Sequence, residues 1–191
     1  RSPKPVRTLG KPCGRRKPSF RATGATSRRG CGKLLKVRVI AVVLINEGNV
    51  VQTRQFKITN VVGNVKTAVK FFAAWDADEI VLIDISPNPW DGMLKCVESV
   101  VDNVLVPVTV GGHIFDPGQI RDIMTAGGDK ILVRTHADPE FIHFVSQKHG
   151  RQILTIGFDH TDTIGAVIAH TFGAGEILLN SIEREGSLQG Y

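Results

Sequence analysis

The sequence predicts an α/β protein of the (βα)8-barrel, or TIM-barrel, type, in which about six strand–helix units are present. Runs of β-branched, apolar residues recur along the chain, and they are apolar on both faces, as buried parallel strands are. Amphipathic stretches of helical period separate these runs, and from the second strand onward the strands begin about 23 to 26 residues apart. No GxGxxG follows the first strand, which argues against a dinucleotide-binding sheet.

Strands and helices are predicted to alternate from residue 38 onward. The predicted strands are Val39–Ile45, Ile80–Ile85, Val106–Val110, Lys130–Val133, Ile153–Phe158 and Glu176–Leu179. The predicted helices are Val65–Trp75, Gly92–Asp102, Pro117–Ala126, Pro139–His149 and Thr163–Phe172. Asp116–Pro117 and Asp138–Pro139 are typical helix starts. The longer first interval contains Glu47–Gly48–Asn49 followed by VVQTRQF, which predicts an additional hairpin.

A complete barrel of this type has eight strands and typically about 250 residues. The sequence shows six such strands in 191 residues. A sheet left open in this way would have two unpaired edges, which is unfavourable. We therefore expect residues 38–191 to form a partial barrel, truncated before strands seven and eight.

The distribution of charge separates a basic arm from an acidic body. Residues 1–37 hold 12 of the 24 Lys and Arg residues and no acid, so residues 38–191 carry a net charge of −6. The arm is rich in Pro, Gly, Ser and Arg without an apolar period, and we expect a disordered or non-native leader. A nucleic-acid tail or a transit peptide is the alternative, but the arm lacks both aromatic interleaving and an amphipathic pattern.

The remaining composition predicts a soluble, cytoplasmic protein. The chain is 42% hydrophobic, and no apolar stretch approaches the roughly 20 residues of a membrane span. Cys13, Cys31 and Cys96 have no metal-type spacing, and the histidines form no HExxH motif. We therefore expect no metal and no cofactor.

Polar residues lie where the predicted strands end, and in a barrel the active site is built there. In strand order these ends are Leu44, Asp84, Gly111–Gly112–His113, Arg134–Thr135, Asp159, and Ser181 with Glu185–Gly186. Glycine-rich loops offer free backbone N–H groups to a phosphate. Arg134 could add a bidentate contact, although a basic side chain at a strand end is as often a salt-bridge partner. This pattern predicts a phosphate-binding face.

Five segments, in order, resemble the cyclase subunit family of imidazole glycerol phosphate synthase, a barrel enzyme of histidine biosynthesis. They are RVIAVVLINEGNVV for the first strand and hairpin, DEIVLIDIS for the second strand, VPVTVGGHI for the third loop, GGDKILVRTHA for the fourth strand, and GAGEILLNSIEREGSLQGY for the sixth strand and loop. The resemblance implies a lyase-type synthase subunit that uses glutamine-derived ammonia on a phosphorylated small-molecule substrate. It also implies a glutaminase partner.

The family has catalytic aspartates at the ends of strands one and five, acting as general acid and base. Asp159 corresponds to the fifth-strand aspartate, and a structural cap is its alternative role. Leu44 stands in place of the first-strand aspartate, and Gln52 replaces a loop lysine. The resemblance implies substrate or phosphate binding by Asp84, Gly111, Gly112, Arg134, Thr135, Ser181, Glu185 and Gly186. Two of its positions are altered, since His113 replaces a glycine and Arg134 an asparagine.

Four charged residues lie at the N-terminal starts of strands one, two, four and six. They are Arg38, Glu79, Lys130 and Glu176. Charges that enter a barrel from below must pair or face water. The resemblance implies a salt-bridged ring that gates ammonia arriving from a glutaminase docked on this face. A simple ionic plug that stabilises the barrel floor is the alternative.

The sequence is also compatible with three other functions. A paralogous branch that shares the apolar first-strand residue is thought to supply ammonia for amidino-sugar formation in surface-polysaccharide biosynthesis. A non-catalytic barrel that activates a glutaminase is a second alternative, and it would account for Leu44 and Gln52. A nucleic-acid-binding protein is a third and rests only on the basic arm. We expect neither a membrane nor nucleic acid as a partner.

Overall fold

The computed structural model describes residues 37–89, 91–134 and 138–188, without the side chain of Thr163. The predicted leader, residues 1–37, lies outside the described residues apart from Val37. The predicted phosphate-binding residue Thr135 lies outside them as well.

The strands within the described ranges form one sheet in the order β3-β2-β1-β4-β5-β6-β7-β8. They are β1 (Ile40–Asn46), β2 (Asn49–Arg54), β3 (Lys57–Asn64), β4 (Glu79–Asp84), β5 (Val108–Gly111), β6 (Lys130–Val133), β7 (Leu154–Asp159) and β8 (Glu176–Asn180). The α-helices are α1 (Val65–Ala74), α2 (Met93–Val101), α3 (Pro117–Thr125), α4 (Pro139–His149) and α5 (Thr163–Phe172), and a short 3-10 turn spans Arg151–Ile153.

The parallel part of the sheet follows the chain. Strand β1 pairs with β4, and β4 to β8 then pair in sequence order, all parallel. Strands β2 and β3 form the antiparallel hairpin beside β1. The six parallel strands and five helices confirm the prediction, with bounds that shift by no more than two residues. The architecture is that of an incomplete (βα)8 barrel.

The main core lies between the helices and the outer face of the sheet. Its fully buried side chains include Ile80, Leu82, Ile120, Ile131, Ile142, Leu154 and Ile156. Aspartate side chains cap three helices: Asp116, Asp138 and Asp162 each accept a bond from a backbone N–H in the first turn. These caps satisfy donors that have no partner within the helix, and they fix where each helix begins.

The sheet curls, so that its inner face encloses space. Arg38, just before β1, reaches Glu176, the first residue of β8. At the other end, the β2–β3 hairpin contacts the loop after β8. Contacts between residues far apart in sequence therefore bridge the curled sheet both where the parallel strands begin and where they end. Among the described residues, no helix has both the length and the apolar character needed to cross a membrane.

Candidate active site

The base of the curled sheet carries the four predicted charged residues as one closed ring. The Arg38 guanidinium lies 3.0 Å from Glu79 and 2.9 Å from Glu176. The Lys130 ammonium lies 3.0 Å from Glu79 and 2.9 Å from Glu176. Each cation therefore bridges both carboxylates. The structure thus places the four residues together, while their role as a gate stays a prediction.

The two carboxylates of the ring have different surroundings. The Glu79 side chain is 2% exposed and also accepts a 2.6 Å hydrogen bond from the Thr109 hydroxyl. The Glu176 side chain is 34% exposed. Partial burial opposes ionisation of Glu176, but hydrogen bonds from Lys130 and Arg38 outweigh it and lower its pKa below the ordinary value of 4.5. Sequence reasoning missed Thr109.

A cavity of about 380 Å³ lies directly inside the ring, and a second cavity of about 730 Å³ opens at the C-terminal ends of the strands. We call the second one the mouth pocket. Val42, Leu132 and Leu178 line both cavities. The inner face thus runs from a charged ring, past an apolar partition of these three side chains, to a partly polar pocket.

The mouth pocket brings together some of the predicted site residues. Asp84, Gly112, Arg134 and Glu185 line it, as does Leu44. The predicted residues Gly111, Asp159 and Ser181 do not contribute to its lining, and Gly186 lines a neighbouring groove beside the hairpin. Leu44 therefore presents an apolar side chain to the pocket.

The loop after β5 requires glycine at position 112 for steric reasons. Gly112 has φ +95°, and a Cβ atom there would lie 2.2 Å from the Asp84 carbonyl oxygen. The next residue, His113, also has positive φ (+54°), and its Nε2 lies 2.8 Å from the Ser86 carbonyl oxygen. This contact joins the loops after β4 and β5 at the pocket wall.

The carboxylate of Asp84 is bound by its own loop. Its Oδ1 accepts hydrogen bonds from the Ser86 backbone N–H at 3.0 Å and from the Ser86 hydroxyl at 2.5 Å.

On the helix side of the sheet, burial and then the charge of Asp84 raise the pKa of the Cys96 thiol to about 11. Cys96 is therefore a neutral packing residue at neutral pH.

Asp159 joins the loops after β7 and β8. Its Oδ2 accepts from the Ile182 N–H at 3.1 Å, and its Oδ1 accepts from the Thr161 N–H at 3.2 Å and hydroxyl at 2.9 Å. The Ile182 bond is the largest of several contacts that lower the Asp159 pKa below 3.8. Asp159 is thus an ionised carboxylate at neutral pH and an acceptor of loop hydrogen bonds.

Ser181, the first residue after β8, has a buried hydroxyl that makes no hydrogen bond within the described residues. The residue is 3% exposed, and its Oγ has no hydrogen-bond partner within the described part of the chain. Its carbonyl oxygen accepts the Glu185 N–H at 2.9 Å and so shapes the loop.

The carboxylate of Glu185, predicted as a phosphate-site residue, binds the β2–β3 hairpin. Its Oε1 accepts from the Thr53 hydroxyl at 2.6 Å, and its Oε2 accepts from the Phe56 N–H at 2.9 Å. Gly186 lies so close to the hairpin that a Cβ atom would be 2.4 Å from the Thr53 carbonyl oxygen. The loop after β8 and the hairpin therefore pack backbone against backbone.

Arg134 supplies the positive charge of the mouth pocket. Its guanidinium carbon lies 6.0 Å from the centre of the Phe56 ring. None of the residues in the described ranges forms a hydrogen bond or ion pair with this guanidinium. In the same ranges, no group of three or more His, Cys, Asp or Glu side chains is arranged to hold a metal ion.

Comparison with known proteins relates these features to one family. A family model described as a histidine biosynthesis protein matches residues 38–172. A Vibrio vulnificus protein provisionally named imidazole glycerol phosphate synthase subunit hisF2 is 36% identical over 184 residues, covering 83% of this chain and 67% of the relative. Imidazole glycerol phosphate synthase subunit HisF of Chlorobium luteolum is 31% identical, with 83% and 72% covered. The same subunit of a Thermotoga species is 30% identical, with the same coverage.

Proposed function

Because this chain belongs to the histidine biosynthesis protein family that includes the HisF-type subunits of imidazole glycerol phosphate synthase, we propose that it is a synthase subunit working with glutamine-derived ammonia. In this proposal a glutaminase docks at the base of the sheet. Ammonia crosses the charged ring and the apolar partition and reaches a phosphorylated substrate in the mouth pocket.

A single observation carries the proposal: the ring cavity and the mouth pocket share Val42, Leu132 and Leu178. A charged ammonium ion has no partner among these side chains, whereas neutral ammonia passes an apolar layer at much lower cost. The partition then selects the neutral, nucleophilic form.

The mouth pocket supplies groups for an anionic substrate. Arg134 offers a planar guanidinium, which suits the oxygens of a phosphate. Gly112 lines the pocket without a side chain, and Gly111 and Ser181 each adjoin a lining residue, Gly112 and Asn180. We assign substrate or phosphate binding to these residues. Asp84 and Glu185 hold loops at the pocket wall, and Gly186 allows the loop after β8 to approach the hairpin. Thr135 is assigned the same binding role from the sequence alone.

Asp159 is proposed as the proton carrier. Its lowered pKa favours the ionised form, so it would begin the reaction as a general base. Leu44 cannot share this role, and the family's pairing of two aspartates is reduced to one. This difference concerns the efficiency of proton transfer and the identity of the substrate, whereas the residues of the charged ring are unaffected by it.

The test supplies the protein with ammonium chloride and the substrate of imidazole glycerol phosphate synthase, and measures imidazole glycerol phosphate. We expect product from the wild type and a loss of about 10²-fold or more in kcat for Asp159→Asn, with KM nearly unchanged. Thr161→Val is the matched control, because it removes one loop bond to Asp159 and keeps the carboxylate. If the wild type formed no product, the proposed reaction would be contradicted. If kcat fell equally in both variants, Asp159 would be a loop anchor and not a proton carrier.

A further inference from the structure

The tip of the β2–β3 hairpin adopts a backbone that its side chains disfavour. Gln55 and Phe56, the two residues between the strands, have φ +52° and +59°. Two-residue hairpin turns with two positive φ angles are typical of Asn-Gly or Gly-Gly, since a Cβ atom crowds the backbone in the left-handed region. Strain of this kind persists only where surrounding contacts hold it, and it is frequent at functional sites.

The loop after β8 supplies the contacts that hold this tip. The Gln55 N–H donates to the Glu185 carbonyl oxygen at 3.0 Å, and the Phe56 N–H donates to the Glu185 carboxylate at 2.9 Å. The Thr53 hydroxyl donates to the other carboxylate oxygen at 2.6 Å. Glu185 alone thus accepts three bonds from the hairpin, and we call this set of contacts the latch.

The latch determines where the Phe56 ring lies, and the ring faces Arg134 at 6.0 Å. This distance is at the outer limit of a cation–π contact, so the ring orients the guanidinium without neutralising its charge. The latch has a second consequence. Glu185 and Arg134 line the same pocket, but the carboxylate is already bonded to Thr53 and Phe56. The positive charge of Arg134 is therefore left for a ligand.

We propose that Glu185 is a positioning residue for anion binding: by latching the hairpin, it places Phe56 against Arg134 and keeps the guanidinium available for a phosphate group in the mouth pocket. The inference rests on the proposed function only in taking the substrate to be phosphorylated. It predicts an effect opposite in sign to simple electrostatics, because removal of a nearby negative charge would by itself strengthen phosphate binding.

The experiment measures the dissociation constant of inorganic phosphate by calorimetry, on the full chain and without ammonia or a glutaminase. Arg134→Gln should weaken binding about tenfold or more, because it removes a charge-assisted hydrogen bond. Glu185→Ala and Phe56→Leu should each weaken it about two- to fivefold, the range of an exposed cation–π contact. Asn60→Ala, on the exposed part of β3, is the matched control and should leave phosphate affinity unchanged.

A double-mutant cycle separates positioning from general damage. In the Arg134→Gln background, Glu185→Ala should have no further effect on the phosphate dissociation constant, because its influence passes through Arg134. Thr53→Val should reproduce the loss and Thr53→Ser should restore affinity, which keeps the test valid if Glu185→Ala folds poorly. Tighter or unchanged phosphate binding in Glu185→Ala, or an undiminished effect in the Arg134→Gln background, would overturn the proposal. Since no turnover is measured, failure of the synthase reaction would leave these outcomes intact.

Discussion

The base and the mouth of the curled sheet satisfy their charges in different ways. At the base, Arg38, Glu79, Lys130 and Glu176 pair with one another, so that each charge has an opposite charge as its partner. At the mouth, Asp84, Asp159 and Glu185 are bound by N–H and O–H donors of nearby loops. Within the described residues, the Arg134 guanidinium faces the Phe56 ring and forms no ion pair. The charges of the base pair with one another, whereas our proposal assigns the charge of Arg134 at the mouth to a ligand.

The largest predicted effect on stability concerns the closed charges of the base. Lys130→Met leaves Glu79, 2% exposed, with one fewer cation. Breaking a buried ion pair in this way costs about 3 to 5 kcal/mol, and the remaining Arg38 contact places our expectation near the lower end, about 3 kcal/mol. Urea denaturation followed by circular dichroism would measure the free energy of unfolding. Lys95→Met, on the exposed face of α2, is the control and should change it by less than about 0.5 kcal/mol. A loss below 1 kcal/mol for Lys130→Met would show that the ring does not behave as a buried network.

A smaller effect on the free energy of unfolding is expected when the pH is lowered. Because the folded state lowers the Glu176 pKa below 4.5, its pairing contributes stability that is present above about pH 4.5 and is lost as the pH falls through the lower folded value. The free energy of unfolding of Glu176→Gln should therefore depend less steeply on pH than that of the wild type below pH 4.5. Denaturation curves between pH 3 and pH 6, read alongside Glu140→Gln as an exposed-helix control, would show the difference. Parallel slopes for Glu176→Gln and wild type would mean that the ring does not favour the ionised carboxylate.

The smallest effect concerns the strained tip at the mouth. Gln55→Gly removes the Cβ atom at φ +52° and should raise the free energy of unfolding by about 0.5 kcal/mol, after allowing for the greater freedom of glycine in the unfolded chain. Asn60→Gly introduces a glycine within strand β3 and should lower the free energy of unfolding by about 0.5 to 1 kcal/mol. If both substitutions lowered stability equally, the hairpin tip would carry no backbone strain.

The contrast between the two ends also explains what the sequence could predict. The location of the four charges could be predicted from the strand starts, because parallel strands in barrel order bring their first residues to one end. Charges there must pair or face water, and the resemblance implied that they pair as a ring. Leu44 was likewise placed correctly at the pocket from its position in β1. These predictions needed only strand positions and register.

The latch could not be predicted in the same way. The tip Arg54–Gln55–Phe56–Lys57 has no Asn or Gly to signal its turn, and Glu185 is 129 residues away from its partner Phe56. Its carboxylate was expected near a phosphate, whereas the structure bonds it to the hairpin. Thr53 carried no signal of its own, because a hydroxyl on β2 is as compatible with a solvated strand face as with a buried hydrogen bond. Loop-to-loop contacts of this kind depend on three-dimensional closure of the sheet.

The central claim is that ammonia enters through the base and is used at the mouth. We would measure product formation in the presence of the glutaminase, first with glutamine and then with ammonium chloride, and take the ratio of the two rates. Arg38→Met opens the ring at its half-exposed member, and Arg134→Gln alters only the mouth. The account predicts that Arg38→Met changes the ratio severalfold, because only glutamine-derived ammonia must cross the ring, while Arg134→Gln lowers both rates together and leaves the ratio unchanged. A ratio unaffected by Arg38→Met, or shifted equally by both variants, would contradict it.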